Sequence, residues 1–262
     1  MPKGHKKLGL ALSGGGARGI AHIGVLQALE EQDIYPDVLS GTSAGAITAA
    51  LYSAGMSPAE MLQFVRESKF WKIFQLGFQL DGLAKLTYLQ ERLQEVIAAD
   101  DFGVLQKDLF VAITNLNKGE IEYRQSGKLF QPILASCSIP LIFKPVEIEN
   151  ELYVDGGLLS NLPVRPLQES CDFIIGVNVM PNFPVSSREV QNFLGIALRT
   201  FELSIIANTS NSLSGCDVLI EPEGIRPFHI FKFQRYREIY EIGYLAAMKE
   251  MPKILSLLEG IK

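Results

Sequence analysis

An apolar run over residues 8–13 passes directly into Gly14-Gly15-Gly16-Ala17-Arg18-Gly19 and then into a helical pattern over residues 18–32. A strand feeding a helix through glycines is the most constraining feature of the chain. It sets the strand's carboxyl end as the place where backbone N–H groups meet an anion at a helix start. Gly14, Gly16 and Gly19 fit G-x-G-x-x-G, so the first reading is a dinucleotide loop. The second is a loop that holds some other negative charge.

The next strand decides between them. A dinucleotide fold needs a ribose-binding carboxylate at the end of its second strand. Here the second strand, "DVLS" at 37–40, carries Asp37 at its start and runs into Gly41-Thr42-Ser43-Ala44-Gly45. That is G-x-S-x-G, in which a sharp strand-to-helix turn projects the serine above the sheet edge. Small residues flank the serine because strand and helix backbones approach closely there. A small-residue helix follows at 44–55. Ser43 reads either as a nucleophile or as a helix cap in a glycine-rich turn. No resident nucleotide or other cofactor is expected.

A serine needs a base. The three histidines are His5 in the basic terminus, His22 on the helix after the glycine loop, and His229 in "PFHIFKF". By chain order only His229 could complete a Ser…Asp…His set, and His22 reads as a packed core histidine. The alternative is Asp155, placed between a strand and Gly156-Gly157. Partial desolvation would make its carboxylate a useful base, while the plain reading of Asp-Gly-Gly is a tight turn.

Along the rest of the chain, strands alternate with helices. The expectation is a single-domain, three-layer α/β/α fold with a mainly parallel central sheet. Ser57, Pro58 and Glu60 form a capping-box start for a helix reaching about Lys69. Strands are expected at "LFVAITNL" and "EIEYRQ", joined by "NKGE", and a hairpin turns at Glu149–Asn150. Helical patterns occupy 87–97, 129–139, 187–214 and 234–261.

The net charge of −5 gives no sign of a nucleic-acid partner. Cys137, Cys171 and Cys216 are widely spaced and read as free thiols. No His/Cys/carboxylate cluster suggests a metal. No run of about 18 apolar residues is present, and the expected location is cytoplasmic. The basic stretch "MPKGHKK" reads as a solubilising terminus or a weak attraction to anionic lipid. Residues 70–86, with Phe70, Trp71, Phe74 and Phe78, read as a substrate cap, a peripheral membrane contact, or core beneath a loop. The sequence leaves the oligomeric state open.

Taken together, residues 14–19, 41–45 and 155–157 resemble the patatin-like phospholipase family in its compact bacterial form. "ASCSIPLIFKPV" at 135–146 and "NLPV" at 161–164 fit the stretches around the last block, so the resemblance spans about residues 8–180. It implies a serine acyl hydrolase acting on a lipid or acyl-ester substrate through a Ser43–Asp155 dyad. It also implies an oxyanion hole from Gly14, Gly15 and Gly16. Arg18 matches the family's arginine, as a clamp on the loop or a substrate contact. Ser13 departs from the aspartate often found before the glycines. A non-catalytic lipid-binding or regulatory module, or an acyltransferase, are the rival readings.

Overall fold

The computed structural model describes residues 6–68 and 82–259. In chain order its strands are β1 (Leu8–Leu12), β2 (Val38–Gly41), β3 (Asp108–Asn115), β4 (Glu120–Arg124), β5 (Val146–Ile148), β6 (Glu151–Asp155), β7 (Phe173–Val177) and β8 (Val218–Ile220). They form one sheet in the order β5-β6-β3-β2-β1-β7-β8, with β4 also pairing β3. The block β3-β2-β1-β7-β8 is parallel. The pairs β3–β4, β3–β6 and β5–β6 are antiparallel.

The two faces of the sheet are separated by the alternation of side chains along each strand. Leu10, Leu12, Leu39, Val111, Ile113 and Val177 point into the larger core. That core is filled from α1 (Ile20–Glu30), α2 (Ala44–Ser53), α3 (Pro58–Glu67), α4 (Gly82–Gln94) and α5 (Phe130–Ser136). Ala11, Val38 and Ile174 point the other way, into a smaller core with Leu162, Val164 and Leu167. Leu167 belongs to α6 (Arg165–Gln168), and Leu213, at the end of α7 (Phe193–Leu213), packs there too. Helices therefore cover both faces, giving the α/β/α layering that the alternation implies. On the second face the thiols fill space left by glycines. Cys171 Sγ lies 3.0 Å from where a Cβ on Gly9 would stand, and Cys216 Sγ lies 2.4 Å from one on Gly176. All three cysteines are free.

Local signals account for several boundaries. The Ser57 hydroxyl accepts the Glu60 N–H at 3.3 Å, and the Glu60 carboxylate accepts the Ser57 N–H at 2.8 Å, so the capping box is formed. The β5–β6 hairpin turns on Glu149 and Asn150, both with positive φ (53° and 67°), as a two-residue turn requires. Three local features differ from the sequence expectation. The helix expected over 187–214 starts late: Ser187–Val190 form a separate 3-10 turn and the α-helix begins at Phe193. Residues 16–19 form a 3-10 turn before α1 begins at Ile20. Gly16 has φ +55°, and the Ala17 N–H donates to the distant Ile230 carbonyl at 2.7 Å, so the chain tightens before it can continue as α-helix. The edge strand β8 has no counterpart in the sequence reading, because three residues carry too little periodicity.

The last helix, α8 (Tyr236–Glu259), lies against α1. The crossing is close because each helix contributes a glycine. A Cβ on Gly24 would stand 2.0 Å from the Tyr240 carbonyl oxygen, and one on Gly243 would stand 2.0 Å from that of Ala21. Gly243→Ala should force the helices apart and destabilise the protein by about 1–3 kcal/mol, despite alanine's better helix propensity. A urea midpoint unchanged from wild type would show that the close crossing is not needed.

Candidate active site

The site lies at the carboxyl ends of β1 and β2, which pair in parallel with Leu12 opposite Gly41. The Thr42 N–H extends this pairing by donating to the Leu12 carbonyl at 3.2 Å. The chain then turns sharply at Ser43, whose φ of 53° and ψ of −121° are rarely adopted by a residue with a side chain. Such a conformation costs roughly 1–3 kcal/mol and persists only where its surroundings hold it. Here the Ser43 N–H donates to Ser136 Oγ at 2.8 Å, and the Ser136 hydroxyl donates to the Ala112 carbonyl at 2.7 Å. A Cβ on Gly45 would stand 2.2 Å from the Leu12 carbonyl oxygen, and one on Gly41 2.6 Å from the backbone of Ala46. Strand and helix could not meet this closely with larger residues. Although Ser43 sits at the N-cap position of α2, its side chain makes no capping bond.

Asp155 ends β6, opposite Ile113 of β3. Its backbone is fixed on both sides: its N–H donates to the Ser138 carbonyl at 3.0 Å, and its carbonyl accepts the Thr114 hydroxyl at 3.1 Å. Its Oδ1 accepts the Gly157 N–H at 2.8 Å, so the Asp-Gly-Gly turn is formed. Gly156 sits where a Cβ would stand 2.4 Å from the Ala112 carbonyl oxygen. The side chain is 3% exposed and faces Ser43. Burial pushes its pKa up to about 7, opposed by the Gly157 N–H and the Ser43 hydroxyl, which both favour the ionised form. The thiol of Cys137 lies beside the pair, and burial and the Asp155 charge hold its pKa well up.

The glycine loop closes a third side. The Gly14 N–H donates to the Asn161 carbonyl at 3.2 Å, and the Arg18 N–H to the Gly15 carbonyl at 3.1 Å. Among the described residues, the N–H groups of Gly15 and Gly16 donate to no protein acceptor. The Arg18 side chain is buried and ties the loop to later parts of the chain. Its Nε donates to the Phe228 carbonyl at 2.7 Å, and Nη1 lies 3.3 Å from Met180 Sδ. Ser13, the departure from the family pattern, bridges β1 and β7: its N–H donates to the Val177 carbonyl and its Oγ accepts the Val179 N–H.

The histidines divide as follows. His22 is fully buried, its Nε2 lies 2.8 Å from the Ser13 carbonyl, and burial lowers its pKa to about 4. It is a neutral core residue. His229 lines the same cavity as Ser43, but its Nδ1 accepts the Phe231 N–H at 3.3 Å. Among the described residues, no hydrogen bond joins His229 to Ser43 or Asp155. His5 lies outside the described residues, as do residues 70–81 of the aromatic cap segment.

Two cavities meet at Ser43. One, of about 490 Å³, is lined by the glycine loop, Asp155, Asn161 and charged side chains from residues 188–226. The other, of about 90 Å³, is apolar and lined by Ile20, Ile47, Leu51, Phe64 and Leu89. Sequence reasoning missed Ser136, the clamp on the elbow, and Asn161. The Asn161 amide is buried beside Gly14 and Gly157, with neither its nitrogen nor its oxygen hydrogen-bonded. Its place at the head of "NLPV", four residues after Gly157, was the available signal. Phe228, Ile230, Phe231 and Phe233 read from the sequence as a second apolar cluster, either cap or core; Ile230 and Phe231 line the larger cavity and Phe233 the smaller one, a placement that only the folded chain provides.

A family model described as patatin-like phospholipase matches residues 10–167. The chain is 30% identical over 285 residues to lysophospholipase NTE1 of Coccidioides immitis, covering 91% of this chain and 17% of that protein. It is 26% identical to lysophospholipase nte1 of Emericella nidulans, covering 96% and 18%. The chain thus spans less than a fifth of the length of these curated relatives. Among solved structures, VipD from Legionella pneumophila aligns with a TM-score of 0.49 at 16% identity, over 92% of this chain and 67% of that one. The chain belongs to the patatin-like phospholipase family.

Proposed function

We propose that the chain is a serine acyl hydrolase that cleaves a fatty acyl ester of a single-chain phospholipid through Ser43 and Asp155. The observation that carries this is a strained serine facing a buried carboxylate whose pKa lies near 7. A base of that strength suits a serine at neutral pH better than an ordinary carboxylate would. Ser43 Oγ attacks the ester carbonyl while its proton passes to Asp155. The N–H groups of Gly15 and Gly16 hold the oxyanion, as fixed donors do in other acyl-transfer sites. Gly14, tied to Asn161, fixes the loop's approach. As the intermediate collapses, the alcohol leaves with the proton from Asp155 and the acyl group stays on Ser43. Water then attacks, giving a proton to Asp155, and that proton returns to Ser43 Oγ as the fatty acid departs.

The apolar cavity beside Ser43 suits the acyl chain and the polar cavity suits the headgroup. The names of the lysophospholipase relatives support a single-chain phospholipid as the substrate. Among the described residues, no helix is long and apolar enough to cross a membrane. A fluorophosphonate should add one adduct to the intact protein by mass spectrometry, mapped to Ser43 and absent in Ser43→Ala. Labelling elsewhere, or none, would reject Ser43 as the nucleophile.

A further inference from the structure

The Asn161 side chain makes no bond that the fold requires. It is 1% exposed, and neither its amide nitrogen nor its amide oxygen is hydrogen-bonded among the described residues. A buried amide left so is costly unless it meets a partner at some stage of function. The other buried unpaired side-chain atoms among the described residues belong to His22, Ser53 and Arg124. None of those three lines the cavity that holds Ser43 and Asp155, whereas Asn161 does. The amide is fixed from several sides. The Asn161 carbonyl accepts the Gly14 N–H, and its N–H donates to Asn208 Oδ1 at 2.8 Å. Asn208 Nδ2 donates in turn to the Gly157 carbonyl at 2.8 Å, and the Thr42 hydroxyl donates to the carbonyl of neighbouring Ser160 at 2.9 Å. Residues 160 and 161 are thus tied to the glycine loop, the elbow and the Asp-Gly-Gly turn. Two glycines make room for the side chain. Asn161 Oδ1 lies 2.6 Å from where a Cβ on Gly14 would stand, with Ser43 Cβ 3.2 Å from the same point. It lies 3.1 Å from where one on Gly157 would stand, with Asp155 Oδ1 at 3.0 Å. The amide therefore stands beside both reacting groups and bonds to neither.

We infer that Asn161 is a catalytic residue of the second half-reaction: its amide holds the water that frees the acyl group from Ser43, and so favours water over an alcohol as acyl acceptor. An unpaired donor and an unpaired acceptor together need a partner that can both accept and donate. Water does so, whereas an oxyanion or an ester carbonyl satisfies the nitrogen alone. The water accepts from Nδ2 and donates one hydrogen to Oδ1. Its other hydrogen passes to Asp155 as its oxygen attacks the acyl carbon. The bond from Ser43 Oγ to that carbon then breaks, Oγ takes the proton back from Asp155, and the fatty acid leaves with the hydrogen that Oδ1 held. An alcohol has a single hydroxyl hydrogen. Once that is given to Asp155, Oδ1 has no donor, and an alkyl group stands where the second hydrogen should be. The inference rests on the hydrolase reading above and separates hydrolysis from acyl transfer at the same site.

The test follows both half-reactions on a short-chain nitrophenyl ester by rapid mixing. Asn161→Leu keeps the shape of the side chain and removes both polar atoms. It should release about one nitrophenol per protein in a fast burst and then turn over at least tenfold more slowly than wild type. Intact-protein mass spectrometry should find the acyl group held on Ser43. With methanol added, the ratio of methyl ester to free acid should rise at least tenfold over wild type. The urea midpoint should not drop, because no bond of the fold is lost. Asn161→Ala is the second variant. Its vacated space admits another water, so its loss should be smaller but in the same half-reaction. A steady rate within twofold of wild type in both variants overturns the assignment. So does a burst that slows in step with the steady rate, which would place the amide in acylation, or an unchanged product ratio. If the wild-type protein releases no nitrophenol and Ser43 takes no fluorophosphonate, the hydrolase reading fails and this inference falls with it. Release by wild type without the deacylation defect in the variants removes the role of Asn161 alone.

Discussion

Asp155→Asn is expected to lower turnover of a soluble acyl ester by roughly 10⁴-fold, about the loss that follows when a serine hydrolase's orienting carboxylate is neutralised. Ser43→Ala should fall at least as far. The two are expected not to add, because they remove parts of one proton-transfer unit. In the wild type, kcat/KM should rise with pH as Asp155 ionises and reach half its plateau near pH 7, where burial has moved the carboxyl. The residual rate of Asp155→Asn should show no such inflection. A variant retaining a tenth of wild-type turnover would remove Asp155 from the role of base. So would a wild-type profile that is flat through neutral pH.

The same substitution should stabilise the protein in alkaline solution. The Asp155 carboxyl has a folded-state pKa of about 7 against an ordinary value of 3.8. Below about pH 4 it is protonated whether folded or not, and it costs nothing. Between those values the unfolded chain ionises freely while the folded one does not, so stability falls as pH rises. Above about pH 7 the penalty is complete, at about 4 kcal/mol for a shift of this size. Asparagine never carries the charge, and its amide oxygen can still accept the Gly157 N–H. Asp155→Asn should therefore outlast wild type in urea at pH 8, by up to that amount, with the gap closing toward pH 4. A variant less stable than wild type at pH 8 would refute the burial account of this carboxyl. Higher stability with lost turnover is the usual trade at a catalytic group.

What could be read from the chain beforehand was local. The βα glycine loop, the G-x-S-x-G turn, the Ser57–Glu60 capping box and the Glu149–Asn150 hairpin each fit within a few residues. In each case backbone geometry demands particular residue types at fixed offsets. The adjacency of the Gly14 loop and Ser43 followed from placing two parallel strands side by side. Residues that act across the sequence could not be read this way. Ser136 is an ordinary helix serine until folding sets its hydroxyl between the Ser43 N–H and the Ala112 carbonyl. Segment β8 was lost for another reason: at an edge, three residues paired to β7 need no strong pattern of their own.

The bond from Arg18 to the Phe228 carbonyl joins residues 210 positions apart, and Ile230 reaches Ala17 over a similar span. Contacts so remote in sequence form late, because a long loop must close before they repay its entropy. The glycine loop therefore takes its working shape only after nearly the whole chain has collapsed around it. A half-folded molecule would carry its serine and its carboxylate but no settled cradle for the charge they generate. On the proposed dyad, competence to react would then mark the end of folding.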